Sequence, residues 1–94
     1  MEIKLEESQA KGSVFINEGA GNLAEMTWVK GGDTYIIVDH TTVGDSLKGQ
    51  GIGRKLLDEV IRYARERNLK IMPLCPFVKS VFDKVEEYGD VLYR

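Results

Sequence analysis

The first half of the chain alternates apolar and polar positions with the two-residue period of β-strands. Ala24, Met26 and Trp28 alternate with Glu25 and Thr27, which gives this segment one apolar and one polar face. Stretches that contain glycine separate such segments and have the composition of turns. The pattern predicts four strands, at residues 3–5, 14–17, 24–28 and 34–43.

Two of these strands carry further expectations about burial. Ile3 and Leu5 alternate with charged residues, so we expect the first strand to be half-buried. Residues 34–38 form a continuous run rich in β-branched side chains, so we expect the fourth strand to be central and covered on both faces. Turns are predicted at 19–22 and 31–33, where glycines cluster.

The period of the apolar residues changes at Ile52. They now recur every three or four positions, which predicts an amphipathic helix packed on a sheet. Asn68 is the predicted end of this helix. The face expected to be buried consists of Ile52, Leu56, Leu57, Val60, Ile61 and Ala64.

The last third of the chain predicts one more strand and one more helix. The strand covers residues 69–72 and is ended by Pro73, and the helix follows Pro76. From Glu86 we predict a turn and a short tail, in which residues 91–93 return to the sheet. The apolar face expected of the second helix is Phe77, Val78, Val81, Phe82 and Val85.

These elements predict a single α/β (α+β) domain over residues 1–94, in the order β-β-β-β-α-β-α. An antiparallel meander of four strands leads into one strand–helix–strand crossover, which places the fifth strand parallel to the fourth. The aromatic side chains expected in the core are Trp28, Phe77 and Phe82.

Composition narrows the class of protein. The 94 residues are 43% hydrophobic and 30% charged, with a formal net charge of −2, which is typical of a folded globular domain. The absence of a basic tract argues against nucleic acid as a partner, and no apolar stretch has the roughly 18 residues of a membrane span. The one cysteine, Cys75, excludes an internal disulfide, so we expect a cytoplasmic protein.

The segment ahead of the first helix has the features of an anion site. Gly49, Gly51 and Gly53 occupy alternate positions and leave backbone N–H groups unshielded. The first turn of the helix adds free donors and a partial positive charge, which together favour a phosphate group. The alternative is that these glycines only permit a tight turn.

Two common phosphate motifs do not fit this segment. A dinucleotide-binding fingerprint needs Gly-x-Gly-x-x-Gly after the first strand, whereas this loop has a different spacing and follows the fourth strand. Gly44 and Gly49 have the spacing of a Walker A loop, but Gln50 and Gly51 stand where that loop needs Lys and Ser or Thr.

A third pattern fits better. Lys48-x-x-Gly51-x-Gly53 resembles the acyl-CoA pyrophosphate loop of the GNAT superfamily of N-acetyltransferases, whose motif is Arg/Gln-x-x-Gly-x-Gly/Ala. The resemblance extends to Asp-His-Thr at 39–41 and Pro-Leu-Cys-Pro-Phe-Val at 73–78, and it is to the small stand-alone branch of that superfamily. Lys48 departs from the preferred Arg or Gln. Compared with arginine, it keeps the positive charge but lacks the planar guanidinium that donates two parallel hydrogen bonds.

The resemblance implies an enzyme that moves an acetyl group from acetyl-CoA to an amine, with coenzyme A as the co-substrate. It also implies that the pantetheine arm lies where the fourth and fifth strands splay, with its thiol near His40 and Cys75. The residues expected to bind the cofactor are Val43, Lys48, Gly49, Gln50, Gly51, Ile52, Gly53, Arg54 and Lys55.

His40 and Cys75 are the candidate catalytic residues. Histidine titrates in the physiological range, so His40 is suited to take a proton from an attacking ammonium group; alternatively it is a structural residue at a strand end. Cys75 precedes a predicted helix, where thiols are often reactive, but free cysteines are also common as small buried residues. It either accepts the acetyl group or lines the pocket. One His and one Cys are too few ligands for zinc.

Other functions stay open at this level. The chain fits a non-catalytic module that binds CoA or acts as an adaptor, and the glycines also fit a purely structural protein. The acceptor amine is not identified, and Tyr35 and Tyr63 fit either the core or an acceptor cleft. We expect a monomer or a weak homodimer paired through an open sheet edge.

Overall fold

The computed structural model describes residues 2–19 and 21–94, and it has the predicted order of elements. A five-stranded sheet has the order β1-β2-β3-β4-β5, in which β1 to β4 are antiparallel and β5 is parallel to β4. In these residues no helix combines the length and the apolar composition needed to cross a bilayer. The elements are β1 Lys4–Glu7, β2 Lys11–Glu18, β3 Gly21–Lys30, β4 Tyr35–Val43, α1 Ile52–Arg67, β5 Lys70–Pro73 and α2 Pro76–Lys84.

Helix α1 packs its apolar stripe on the sheet. Asn68 ends the helix in the left-handed conformation, at a φ of 55°, as predicted. The Tyr63 ring lies 4.9 Å from the ring of the fully buried Trp28, and its hydroxyl donates a hydrogen bond of 3.1 Å to Glu7. Tyr63 is therefore a core residue. The six positions predicted for the buried stripe are all buried, namely Ile52, Leu56, Leu57, Val60, Ile61 and Ala64.

Strand β4 is internal to the sheet, but only one of its faces is fully covered. Ile36 and Val38 are completely buried, whereas Tyr35 and Ile37 on the other face are only half-buried. The expectation that residues 34–38 are covered on both faces is therefore wrong. The β-branched run reflects its internal position in the sheet and not a second layer of helices.

Strand β1 is the exposed edge of the sheet and pairs with β2 alone. Ile3, just ahead of the strand, is half-buried against the core as expected. All four residues of the strand itself are exposed, and Leu5 has 42% of its surface accessible, so the expectation is wrong for Leu5. The reason is that α1 packs mainly on the other strands of the sheet. In the turn predicted at 19–22, Ala20 lies outside the described residues.

The C-terminal tail returns to the sheet as predicted. After a 3-10 turn, the Tyr93 N–H donates a 2.8 Å hydrogen bond to Ile71, which also forms a parallel bridge with Leu92. The Arg65 guanidinium donates hydrogen bonds of 3.0 and 2.9 Å to Asp90. These bonds lower the pKa of the Asp90 carboxyl, so the pair stays ionised and ties the tail to α1.

Helices α1 and α2 touch at Gly53 and Phe77. Val78, Val81 and Phe82 of α2 are buried as predicted, but Phe77 is 37% exposed, so its expected place in the core is wrong. Its ring lies beside Gly53, where a Cβ would come within 2.8 and 2.9 Å of two ring carbons. Gly53 therefore makes room for Phe77.

Replacing Leu57 by alanine tests the helix–sheet core. Leu57 is fully buried, so Leu57→Ala should lower the free energy of unfolding by about 2–5 kcal/mol through lost transfer energy and a cavity. Leu74→Ala is the matched control, because Leu74 is 62% exposed and should change stability little. Urea denaturation measures both, and equal losses would contradict this packing.

Replacing Gly53 by alanine tests the contact between the helices. In an open helix interior Gly→Ala stabilises by about 0.5–1 kcal/mol, but here the new methyl group meets the Phe77 ring. We expect Gly53→Ala to lower the melting temperature and the same change in a Phe77→Leu background to cost less or to stabilise. A Gly53→Ala variant more stable than the parent would show that Phe77 does not occupy this space.

Candidate functional site

The fourth and fifth strands part at Val38. Residues Tyr35–Val38 pair with Lys70–Pro73, and the Val38 carbonyl then accepts the N–H groups of both Leu74 and Cys75, at 3.0 and 3.1 Å. Beyond this point β4 continues as far as Val43 and pairs with β3 only. The backbone of residues 39–43 therefore has one edge with no strand beside it in the part of the chain that the structure describes.

A β-bulge in this segment decides which way its side chains point. Asp39 is the extra residue, and its carboxylate accepts a 2.6 Å hydrogen bond from the Thr27 hydroxyl. Beyond the bulge Thr41 lies opposite the fully buried Met26, so Thr41 points to the covered face of the sheet. His40 is exposed and points to the open face, because successive residues of a strand alternate.

The loop that follows β4 contains two left-handed glycines, one of which is Gly51 of the motif. Gly49 and Gly51 have φ angles of 80° and 70°, which side chains rarely adopt. Gly51 is the N-cap of α1, and no side chain caps this helix. Its hydrogen-bond ladder begins with Lys55 N–H to Gly51 carbonyl at 3.2 Å, so the N–H groups of residues 52–54 lie ahead of the ladder.

A cavity of about 350 Å³ lies against this loop. Most residues expected to bind the cofactor line it, but Gln50 and Lys55 do not. The Gln50 side-chain amide instead donates to the Ser46 carbonyl, at 3.2 Å. The cavity is lined by Thr41, Val43, Leu47, Lys48, Gly49, Gly51, Ile52, Gly53, Arg54 and Phe77.

Two cationic side chains stand at the cavity. Lys48 forms an exposed ion pair with Asp45, at 3.0 Å. The Arg54 guanidinium donates to the Tyr88 hydroxyl at 3.3 Å and lies 5.7 Å from the centre of that ring. The hydrogen bond with Tyr88 raises the pKa of Arg54, a guanidinium that is positively charged at any physiological pH. Tyr88 donates in turn to Asp58, so α1 and the C-terminal segment share the network.

Cys75 lies where the strands part, behind the wall of this cavity. It is the N-cap of α2 and has only 6% of its surface exposed. Its Sγ lies 3.3 Å from the hydroxyl oxygen of Thr41, which lines the cavity. The structure therefore separates Cys75 from the cavity by Thr41 alone, while His40 points to the opposite face.

Cavity size alone does not identify this site. A larger cavity of about 500 Å³ lies on the open face of the sheet, beside Glu6, Glu25 and Asp39. Another of about 580 Å³ lies between the end of α1 and the C-terminal tail, beside Arg65 and Asp90. Neither has left-handed glycines or a helix N-terminus, so the smaller cavity has the better chemistry for an anion.

Three residues that line the cavity were not expected there from the sequence, namely Thr41, Leu47 and Phe77. Phe77 has the helical spacing of a core residue. The sequence feature that could have placed its ring at the cavity is Gly53, because a residue with a Cβ would collide with the ring. Thr41 is part of the Asp-His-Thr block, but its contact with Cys75 depends on a bulge that has no sequence signature.

Comparison with known proteins agrees with this geometry. The family model described as GCN5-related N-acetyl-transferase matches residues 13–91. A GCN5-like protein from Staphylococcus aureus, solved in solution, is 38% identical, with a TM-score of 0.73 over 96% of this chain and 87% of that one. No curated protein matches the chain in a sequence search.

More distant structures share the fold. Tetrahymena GCN5 has a TM-score of 0.65 at 14% identity, over 82% of this chain and 51% of that one. A GNAT family acetyltransferase from Elizabethkingia anophelis, solved with acetyl-CoA bound, has a TM-score of 0.58 at 17% identity, over 68% of this chain and 42% of that one. The chain thus spans about half the length of these two proteins. The family match and the fold together show that it belongs to the GCN5-related N-acetyltransferase family.

Proposed function

We propose that the chain binds acetyl-CoA at the glycine loop and transfers its acetyl group to an amine. The proposal is carried by two features that lie side by side. The helix N-terminus with its left-handed glycines has no side-chain cap and suits the diphosphate of coenzyme A, and the unpaired edge of β4 suits its pantetheine arm. Membership of the family and the acetyl-CoA bound to the E. anophelis relative support it.

The diphosphate is the part of the cofactor that the loop would hold. Backbone N–H groups at residues 49–54 supply donors, and a hydrogen bond to a charged group contributes about 1.5–3 kcal/mol. Lys48 would leave Asp45 at little cost, because an exposed ion pair contributes only about 0–1 kcal/mol. Arg54 adds a second positive charge at the rim of the cavity.

The pantetheine arm would lie along the free edge of β4. It carries amide groups, and residues 39–43 present backbone N–H and C=O groups on the side that no strand covers. An extended chain that pairs with such an edge gains main-chain hydrogen bonds. This direction leads the thioester from the loop toward Thr41 and Cys75.

The transfer itself needs few groups from the protein. The amine nitrogen attacks the thioester carbonyl carbon, the bond from that carbon to the CoA sulfur breaks, and the proton lost by the nitrogen passes to the departing CoA thiolate. Backbone N–H groups would stabilise the oxyanion, and binding both partners would align them. A two-step route through an acetylated Cys75 competes with this direct attack.

The acceptor, the compartment and the assembly are narrower parts of the proposal. The acceptor is an amine of unassigned identity. A single thiol suits a reducing compartment, so we place the enzyme in the cytoplasm. The short exposed strand β1 offers at most a weak pairing edge, which fits a monomer or a weak homodimer.

Substitutions at Gly51 test the cofactor site. Gly51→Val should weaken CoA binding at least about tenfold, because a β-branched residue rarely adopts a positive φ and the loop must rearrange. Gly51→Asn is the matched control, since asparagine tolerates this conformation and nothing lies near the added Cβ. Isothermal calorimetry with CoA measures both, with melting curves to establish that each variant is folded.

Equal CoA affinity in the parent and in Gly51→Val would contradict the loop assignment. Release of free CoA from acetyl-CoA, measured with a panel of amines and corrected for hydrolysis, tests catalysis separately. Binding without any amine-dependent release would make the chain a CoA-binding module and not an enzyme.

A further inference from the structure

The open face of the sheet carries a row of polar side chains that crosses four strands. Glu6 on β1 pairs with Ser13 on β2, and Ser13 pairs with Thr27 on β3. Thr27 pairs in turn with His40 on β4. The buried residues of both helices pack in one core against the other face, so the cavity of about 500 Å³ over this row is open to a ligand. Its volume is in the range of sites for small molecules.

The lining of this cavity is acidic. Its charged side chains are one cation and four carboxylates, namely Lys11, Glu6, Glu7, Glu25 and Asp39. Glu7 and Asp39 already accept hydrogen bonds from other side chains. Glu6 and Glu25 form no ion pair within the described residues, although Glu25 is half-buried. A half-buried carboxylate without a nearby cation favours a positively charged ligand.

The shape and charge of this face also bear on the kind of ligand. Val29 lines the cavity with 36% of its surface exposed, so the carboxylates lie beside an apolar area. Methylene groups between two cationic ends match such a lining. A second copy of the face would instead bring carboxylates against carboxylates, and like charges in an interface repel.

The cavity reaches the point where β4 and β5 part. Asp39 lines it and directly follows Val38, whose carbonyl turns the chain of β5 away from β4. Beyond Val38 no described strand lies beside the edge of residues 39–43, so the two faces of the sheet meet there. The cofactor cavity reaches the same edge from the covered face, at Thr41. A thioester and an amine would therefore approach this edge from opposite faces.

We propose that the open-face cavity is the acceptor site and that the acceptor is a linear amine with at least two positive charges, a diamine or polyamine. One nitrogen reacts at the edge of β4 while Glu25 holds the next cationic group. The inference rests on the proposed function, because it needs acetyl-CoA at the same edge.

The register of the sheet gives the distances that this acceptor must span. Glu25 is the diagonal neighbour of His40, because Thr27, two residues along the same strand, pairs with His40 directly. Diagonal neighbours lie about 7–8 Å apart, which suits a diamine with a four-carbon chain. Glu6 lies three strand intervals from β4, or about 14 Å, so only a longer polyamine reaches it.

The transfer to such an acceptor balances without a further reactant. The terminal ammonium group first gives one proton to the solvent. Its neutral nitrogen then attacks the thioester carbon, the bond from that carbon to the CoA sulfur breaks, and a second proton passes from the nitrogen to the CoA thiolate. The products are free CoA and an N-acetylated amine that keeps the charge held by Glu25.

Initial rates with a matched pair of amines test the inference. The full chain is saturated with acetyl-CoA, and release of free CoA is measured with 1,4-diaminobutane and with butylamine, which has the same carbon chain but one charge. We expect kcat/KM to be at least about tenfold higher for the diamine, well above the roughly twofold advantage of having two reactive ends.

Replacing Glu25 by glutamine removes the charge and keeps the shape of the side chain. Glu25→Gln should lower kcat/KM for the diamine about fivefold through a higher KM and leave butylamine within about twofold. Glu66→Gln is the matched control, because Glu66 is exposed on α1, does not line the cavity and removes the same charge. Calorimetry with CoA should give both variants affinities within about threefold of the parent.

The results that would overturn the inference differ from those that would overturn the proposed function. Equal kcat/KM for the two amines, or equal losses in Glu25→Gln and Glu66→Gln, would overturn the inference while the proposed function stands. Turnover of a lysine-containing peptide without turnover of the diamine would overturn it as well. If the parent binds no CoA or acetylates no amine, the proposed function fails, and the inference fails with it.

Discussion

The hydrogen bonds that the Val38 carbonyl accepts from Leu74 and Cys75 set the geometry of the whole site. Two N–H groups on one carbonyl end the parallel ladder and turn the chain away from β4. If the ladder continued, β5 would cover the edge of residues 39–43 and close the groove beside the glycine loop. The same bonds fix the backbone of Cys75 at the fork, the point where β4 and β5 part, behind the cavity-lining Thr41.

Two local departures from regular structure adapt this fork to a bound group. The left-handed Gly49 and Gly51 let the chain enter α1 without a side-chain cap, which leaves the first N–H groups of the helix to a ligand. The bulge at Asp39 inverts the order of side chains in β4 and brings Thr41 against Cys75. Each departure costs regular hydrogen bonding in the free protein, as functional sites often do.

Local patterns predict the elements well, because helical and strand periods are properties of a short stretch of sequence. The stripe of α1 and its end at Asn68 are confirmed for this reason. Whether other elements cover a face of a strand or helix depends on the tertiary structure. Periodicity therefore predicts neither the open face at Ile37 nor the exposure of Phe77. The bulge has no sequence signal either, so the sequence does not predict that Thr41 contacts Cys75 while His40 points to the opposite face.

The account depends on the cofactor occupying the fork between β4 and β5 and not a larger cavity elsewhere. An NMR titration of the labelled protein with CoA tests this directly, since every backbone amide reports separately. The account predicts shifts at the amides of residues 49–54 and 39–43, with little change at Glu6 and Glu25. Shifts centred on those two residues, in the cavity of the open sheet face, would contradict it.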